Sequence, residues 1–201
     1  MFFAKQKSNQ CGLHAIQNVL KTAAMTKTDM RTACDTIHKQ TGDDLHNHET
    51  CGGDWSVQAV LQALRNRGFE VHRAVDSKRS RVWSGPSIDD LLEDDTFRGV
   101  ILHQPLKKHF TCFRPEVVND ETQLYYVDSQ STGPRRISSK LAMRRCLAAA
   151  YSWEPFVVRG EPIEFVPAPG VDLPDCTVVR RNRSRPSESF LQEWRSFNHN
   201  A

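Results

Sequence analysis

A thiol attacks a carbonyl when it can ionise, when a base stands beside it, and when donors await the oxyanion that forms. In the stretch KQKSNQCGLHAIQNVL, Lys5 to Leu20, Cys11 stands where a polar run becomes an apolar helix. The free N–H groups and dipole of a helix start favour the thiolate. Gly12, next in the chain, is expected to leave one approach to the sulfur open. Nothing inside the stretch separates a nucleophile from a small residue packed at a helix start. A partner elsewhere has to decide.

The base should be a histidine oriented by a carboxylate or amide. The chain has eight histidines, and most have ordinary readings. His38, His46 and His48 lie in polar surroundings, His199 lies near the C-terminus, and His14 sits one turn after Cys11, where a structural role suits it. His109 differs, because it opens the strand-like HFTCFRP after the turn-forming QPL. Nineteen residues later Asp128 closes QLYYVDS. Two antiparallel neighbours joined by the NDET turn bring the start of one strand beside the end of the next. A histidine and an aspartate at those two ends make a workable base and orienter. His46, His48 and Cys51 in HNHETC invite comparison with a zinc site. A structural zinc normally takes four ligands in tighter pairs, so a polar loop is the better reading and no metal is expected.

The surrounding elements must carry these residues. Ser8 or Asn9 can cap the first helix, which presents Leu13, Ala15, Ile16, Val19 and Leu20 as an apolar face. A weaker helix is expected from Thr28 to His38, followed by the loop TGDDLHNHETCGGD. DWSVQAVLQALRNRG is the strongest helical stretch, with Asp54 as its cap, Val57, Val60, Leu61 and Leu64 as its stripe, and Gly68 as its stop. Trp55 suits either core packing or a surface facing a partner. FEVHRAV, GVILHQ, HFTCFRP and QLYYVDS read as strands, SIDDLLED as a short helix, SSKLAMRRCLAAAYSW as a longer one and PFVVRG as a last strand. This order describes one α+β domain over residues 1–176.

Composition narrows the class further. No apolar run approaches the roughly 20 residues that span a bilayer. Six cysteines are scattered without CxxC pairs, which suits reduced thiols in a cytoplasmic or nuclear setting, whether the chain's own cell or a host's. A net charge of +3 is too weak to imply nucleic acid. Part of that excess sits in residues 177–201, where VVRRNRSRPSESF places four arginines within six positions. This segment is expected as a basic extension suited to docking an acidic partner.

The motifs taken together resemble the Josephin family of cysteine-protease deubiquitinases. Gln6, the linker KSNQ, Cys11, His14 and QNVL resemble the family's opening. GGDWSVQAVLQALRNRGFEV matches its glycine-containing loop and aliphatic helix, HFTCF its histidine strand, and YYVDS its acidic or amide position. TGP and FVV follow in similar places, so the likeness covers about Lys5 to Gly160. The segment between the first helix and GGDWS departs from the family's long helical hairpin, as does VRGEPIEFVPAPGVDLPDC in its length.

The resemblance implies a papain-like fold with a helical subdomain and a central antiparallel sheet. It implies Cys11 as nucleophile, His109 as base and acid, Asp128 as orienter and Gln6 as oxyanion donor, with ubiquitin or ubiquitinated proteins as partners. Such chemistry needs no metal or organic cofactor. The rival expectations are a papain-like protease acting on another ubiquitin-like modifier or a viral polyprotein, and an idle ubiquitin-binding module.

Overall fold

The computed structural model describes residues 1–6, 9–43, 46, 54–76, 82–148 and 153–162. The expected extension 177–201 lies outside them, as do Ser8, His48, Cys51 and the end of the domain near residue 176. Helix α1 (Cys11–Leu20) follows an extended N-terminal segment. Its N-cap is Gln10, with no side-chain capping bond, rather than the expected Ser8 or Asn9. The first-turn N–H groups beside Cys11 are therefore not spent on a capping side chain.

The stretch expected as the weaker second helix is in fact the longest helix among the described residues, α2 (Lys27–Thr41). Thr26 and Asp29 explain this, because each satisfies the other's backbone N–H in a capping box. Helix α3 (Val57–Asn66) is capped by Ser56, whose hydroxyl accepts from the Ala59 N–H, and not by Asp54. Gly68 follows its end with φ at +84°, as a helix stop should.

FEVHRAV does not form one strand. It divides at Ala74 into β1 (Glu70–Arg73) and β2 (Val75–Asp76). The first part joins the main sheet, and the second leaves it to pair with β3 (Val82–Trp83). After α4 (Ile88–Leu92) come β4 (Phe97–Gln104), β5 (His109–Val118), β6 (Glu121–Val127) and the short β7 (Arg135–Arg136). Helix α5 (Ser139–Leu147) and β8 (Glu154–Arg159) follow. The main sheet runs β1-β8-β4-β5-β6-β7, and every pairing in it is antiparallel.

Strand alternation splits the core in two. Ile101, Phe110, Cys112, Phe156 and Val158 pack with α1, α2 and α3, whereas Val100, Leu102, Phe113 and Val157 pack with α4, α5 and Trp153. The apolar GVILHQ is buried on both faces because helices cover both. Trp55 belongs to the first of these cores, so core packing decides its role.

Two glycines permit close approach. A Cβ on Gly99 would lie 2.1 Å from the Phe113 carbonyl oxygen and 2.6 Å from Val19, where α1 crosses β4. A Cβ on Gly12 would meet Val60 at 2.8 Å. Gly12 is buried against the core and so serves the packing of α1 on α3, rather than the expected opening toward the sulfur.

Candidate active site

The N-terminal stretch and a hairpin about a hundred residues later in the chain meet around a cavity of about 870 Å³. Gln6 comes from the N-terminal segment, Cys11 from the first residue of α1, and His109 and Asp128 from the β5–β6 hairpin; all four line the cavity.

The hairpin forms as its sequence requires. Asn119 and Asp120 both adopt positive φ, at 53° and 61°, between Val118 and its partner Glu121. Such two-residue turns match the twist of the strands they join. The resulting register pairs Cys112 with Val127 and leaves Asp128 just beyond the end of β6. There the His109 Nε2 and an Asp128 carboxylate oxygen are 3.2 Å apart.

With Nε2 committed to Asp128, Nδ1 is the ring nitrogen left for the sulfur, and Cys11 helps to raise the proton affinity of the ring. The Cys11 thiol donates to the Lys108 carbonyl at 3.5 Å. A single 3₁₀ turn, Pro105–Lys107, aims that carbonyl, because Lys108 closes it in the left-handed conformation.

Burial by itself would push His109 down. The hydrogen bond to Asp128 and the neighbouring Cys11 sulfur, with the negative charge each can carry, outweigh it and raise His109 from 6.5 to about 9. Burial also opposes ionisation of Asp128, but the bond from His109 and one from the Gln130 backbone N–H hold its carboxyl below the usual range. The carboxylate is further seated by its own turn. The Gln130 N–H donates to its oxygen at 2.9 Å, while the Ser131 N–H and hydroxyl donate to its backbone carbonyl at 2.9 and 2.8 Å.

Gln6 is tied to the same turn. Its backbone N–H donates to the Ser129 carbonyl at 2.9 Å, and its Oε1 accepts from the Ser129 hydroxyl at 3.0 Å. Upstream, Asn18 of α1 grips both backbone groups of Ala4, at 2.8 and 3.1 Å. The buried Arg114 of β5 donates to the carbonyls of Asn18, at 2.5 Å, and Phe2.

The other expected roles can be placed as well. His14 pairs with Gln17 on its own helix at 2.9 Å, and burial lowers its affinity for a proton. His46 meets the Ser56 hydroxyl at 3.0 Å, while its companions in the zinc comparison lie outside the described residues. No group of three potential ligands is placed to hold a metal among the described residues. Asp54 lines the cavity instead of capping α3.

Sequence reasoning missed two residues here. Ser129 has one signal in the sequence, its position directly after Asp128 in YYVDS. Arg145 of α5 stacks its guanidinium over the Tyr126 ring at 4.2 Å and adds a positive charge favouring the Asp128 carboxylate. Nothing in the α5 sequence separates Arg145 from Arg144.

A cysteine opening a helix, packed against a sheet that carries histidine and aspartate, belongs to a papain-like cysteine protease fold. The Josephin family model matches residues 6–159, and the chain belongs to that family. Josephin proteins are generally cysteine-type deubiquitinases that bind ubiquitin. A comparison with curated proteins finds no significant match. Among the described residues, no helix is long and apolar enough to cross a membrane.

Proposed function

We propose that this chain is a deubiquitinase that hydrolyses the bond after the C-terminal glycine of ubiquitin, releasing it from lysine amides or hydroxyl esters. The observation that carries this reading is the convergence of Gln6, Cys11, His109 and Asp128 on one cavity in a Josephin chain. Cys11 is the nucleophile, His109 the base and acid, Asp128 the orienter and Gln6 the oxyanion donor.

In the first step the Cys11 sulfur, its proton held by His109, forms a bond to the glycine carbonyl carbon. The carbonyl π electrons move onto oxygen. That oxyanion takes hydrogen bonds from the Gln6 amide and the Cys11 backbone N–H, one of the unspent donors at the start of α1. The C–N or C–O bond then breaks, and His109 gives its proton to the departing amine or alcohol. A thioester to ubiquitin remains. Water, deprotonated by His109, attacks it and releases the ubiquitin carboxylate with the thiol restored.

The raised proton affinity of His109 suits the pairing of imidazolium with thiolate that this route starts from. A thiol nucleophile also suits the reducing cytoplasm or nucleus, which we propose as its setting. The basic extension 177–201 is proposed as a separate segment beyond the catalytic domain.

The test is mass spectrometry after incubation with ubiquitin carrying a C-terminal propargylamide. Wild type should gain one ubiquitin adduct, and Cys11→Ala none. Folded, reduced wild type that gains no adduct overturns the reading and moves the weight to another modifier or a polyprotein substrate.

A further inference from the structure

We infer that Ser129 is a positioning residue for the oxyanion donor, its hydroxyl turning the Gln6 amide so that the N–H₂ end faces the sulfur. The inference rests on the proposed role of Gln6. A glutamine amide has two orientations differing by a half-turn. One presents donors to the cavity and the other an oxygen, which would repel the developing oxyanion.

Ser129 supplies a partner on the protein side. Its hydroxyl donates to Gln6 Oε1 at 3.0 Å, which directs the donor end of the amide away from Ser129. Ser129 is 2 % exposed, so bulk water competes little for that bond. The backbone bond from the Gln6 N–H to the Ser129 carbonyl, at 2.9 Å, fixes the distance over which the side chain must reach. The consequence concerns one short segment. Asp128 and Ser129 leave β6 consecutively, the first holding the base and the second the oxyanion donor. The turn that follows, clamped by the Gln130 and Ser131 bonds to Asp128, therefore aligns both halves of the reaction.

The experiment compares wild type, Ser129→Ala, Gln6→Ala and the double variant in two assays. Steady-state hydrolysis of ubiquitin-7-amido-4-methylcoumarin forms an oxyanion. Alkylation of Cys11 by iodoacetamide, followed across pH, occurs at a tetrahedral carbon and forms none. Loss of a whole oxyanion donor costs about 10²–10³ in kcat.

Ser129→Ala is expected to lose about tenfold in kcat with KM unchanged, since a loosened amide still visits the right orientation. The double variant should be no slower than Gln6→Ala alone. Alkylation rates and their pH profile should match wild type in all variants. A Ser129→Ala variant with wild-type kcat overturns the inference, as does one whose loss multiplies onto that of Gln6→Ala or whose alkylation slows in step with hydrolysis. Wild type that is alkylated but does not turn over the ubiquitin substrate overturns the functional reading itself, and this inference with it.

Discussion

His109 is placed where an imidazole left alone would shed its proton, and two partners reverse that tendency. The folded chain holds the proton to about 9 against an ordinary 6.5. Because the folded value is the higher one, the stability this group lends is fully present below pH 6.5 and disappears as pH rises through 9. In the proposed mechanism the same proton sets the alkaline limit of catalysis. The alkaline limb of kcat/KM should fall near pH 9 in wild type. Asp128→Ala, which removes a hydrogen bond and a charge that both raise His109, should move that limb downward, with a loss of activity that grows with pH. A limb that stays near 9 in Asp128→Ala would show that Asp128 does not govern the base. Cys112 offers a contrast in the same strand. Fully buried in the core that the sheet shares with α1, α2 and α3, its thiol is pushed up to about 12, so it is no rival for the nucleophilic role proposed for Cys11.

Helices and strands present these residues, and the bonds that begin and end each element decide how firmly. The capping box of α2 shows this in sequence terms, since Thr26 and Asp29 fall at the spacing a box needs. Thr26→Ala should cost about 1 kcal/mol of stability, read as a lowered midpoint in urea. α2 packs on α3 and contributes nothing to the cavity lining, so the variant's rate with the ubiquitin probe should match wild type. A larger drop in the probe rate than in stability would place α2 nearer the chemistry than the fold does. The β5–β6 hairpin was legible in the sequence for a similar reason. Asn119 and Asp120 tolerate positive φ, and the apolar alternation on either side sets the register. The split at Ala74 was not legible, because FEVHRAV alternates well enough throughout. Only the neighbours decide, with β8 pairing up to Arg73 and β3 taking Val75 and Asp76.

At the scale of the whole molecule, the site depends on a segment that has no regular structure of its own. Residues 2–6 are docked at three points, by Arg114 and Asn18 upstream and Ser129 at Gln6. Arg114 is wholly buried and also lies 2.8 Å from a Glu116 carboxylate oxygen. Removing one side of a buried ion pair strands the other charge, at a cost of about 3–5 kcal/mol. Arg114→Met should therefore lower the thermal midpoint strongly and raise hydrogen exchange at the Ala4 amide. A variant with wild-type stability and Ala4 protection would show that the guanidinium is not the anchor.

What the sequence by itself determined is the chemistry written in short range: a cysteine where a helix begins, a histidine and an aspartate at matched ends of one hairpin, and the alternation that buries each strand. These follow from periodicity and turn preferences acting over a few residues. The tertiary structure decided the rest. It placed β8 between β1 and β4, gave α1 Gln10 rather than Ser8 or Asn9 as its N-cap, buried Gly12 against Val60, and set the Gln6 amide against Ser129, 123 residues away. A bond across that distance leaves no local pattern, since the two residues meet only after the sheet and α1 have packed.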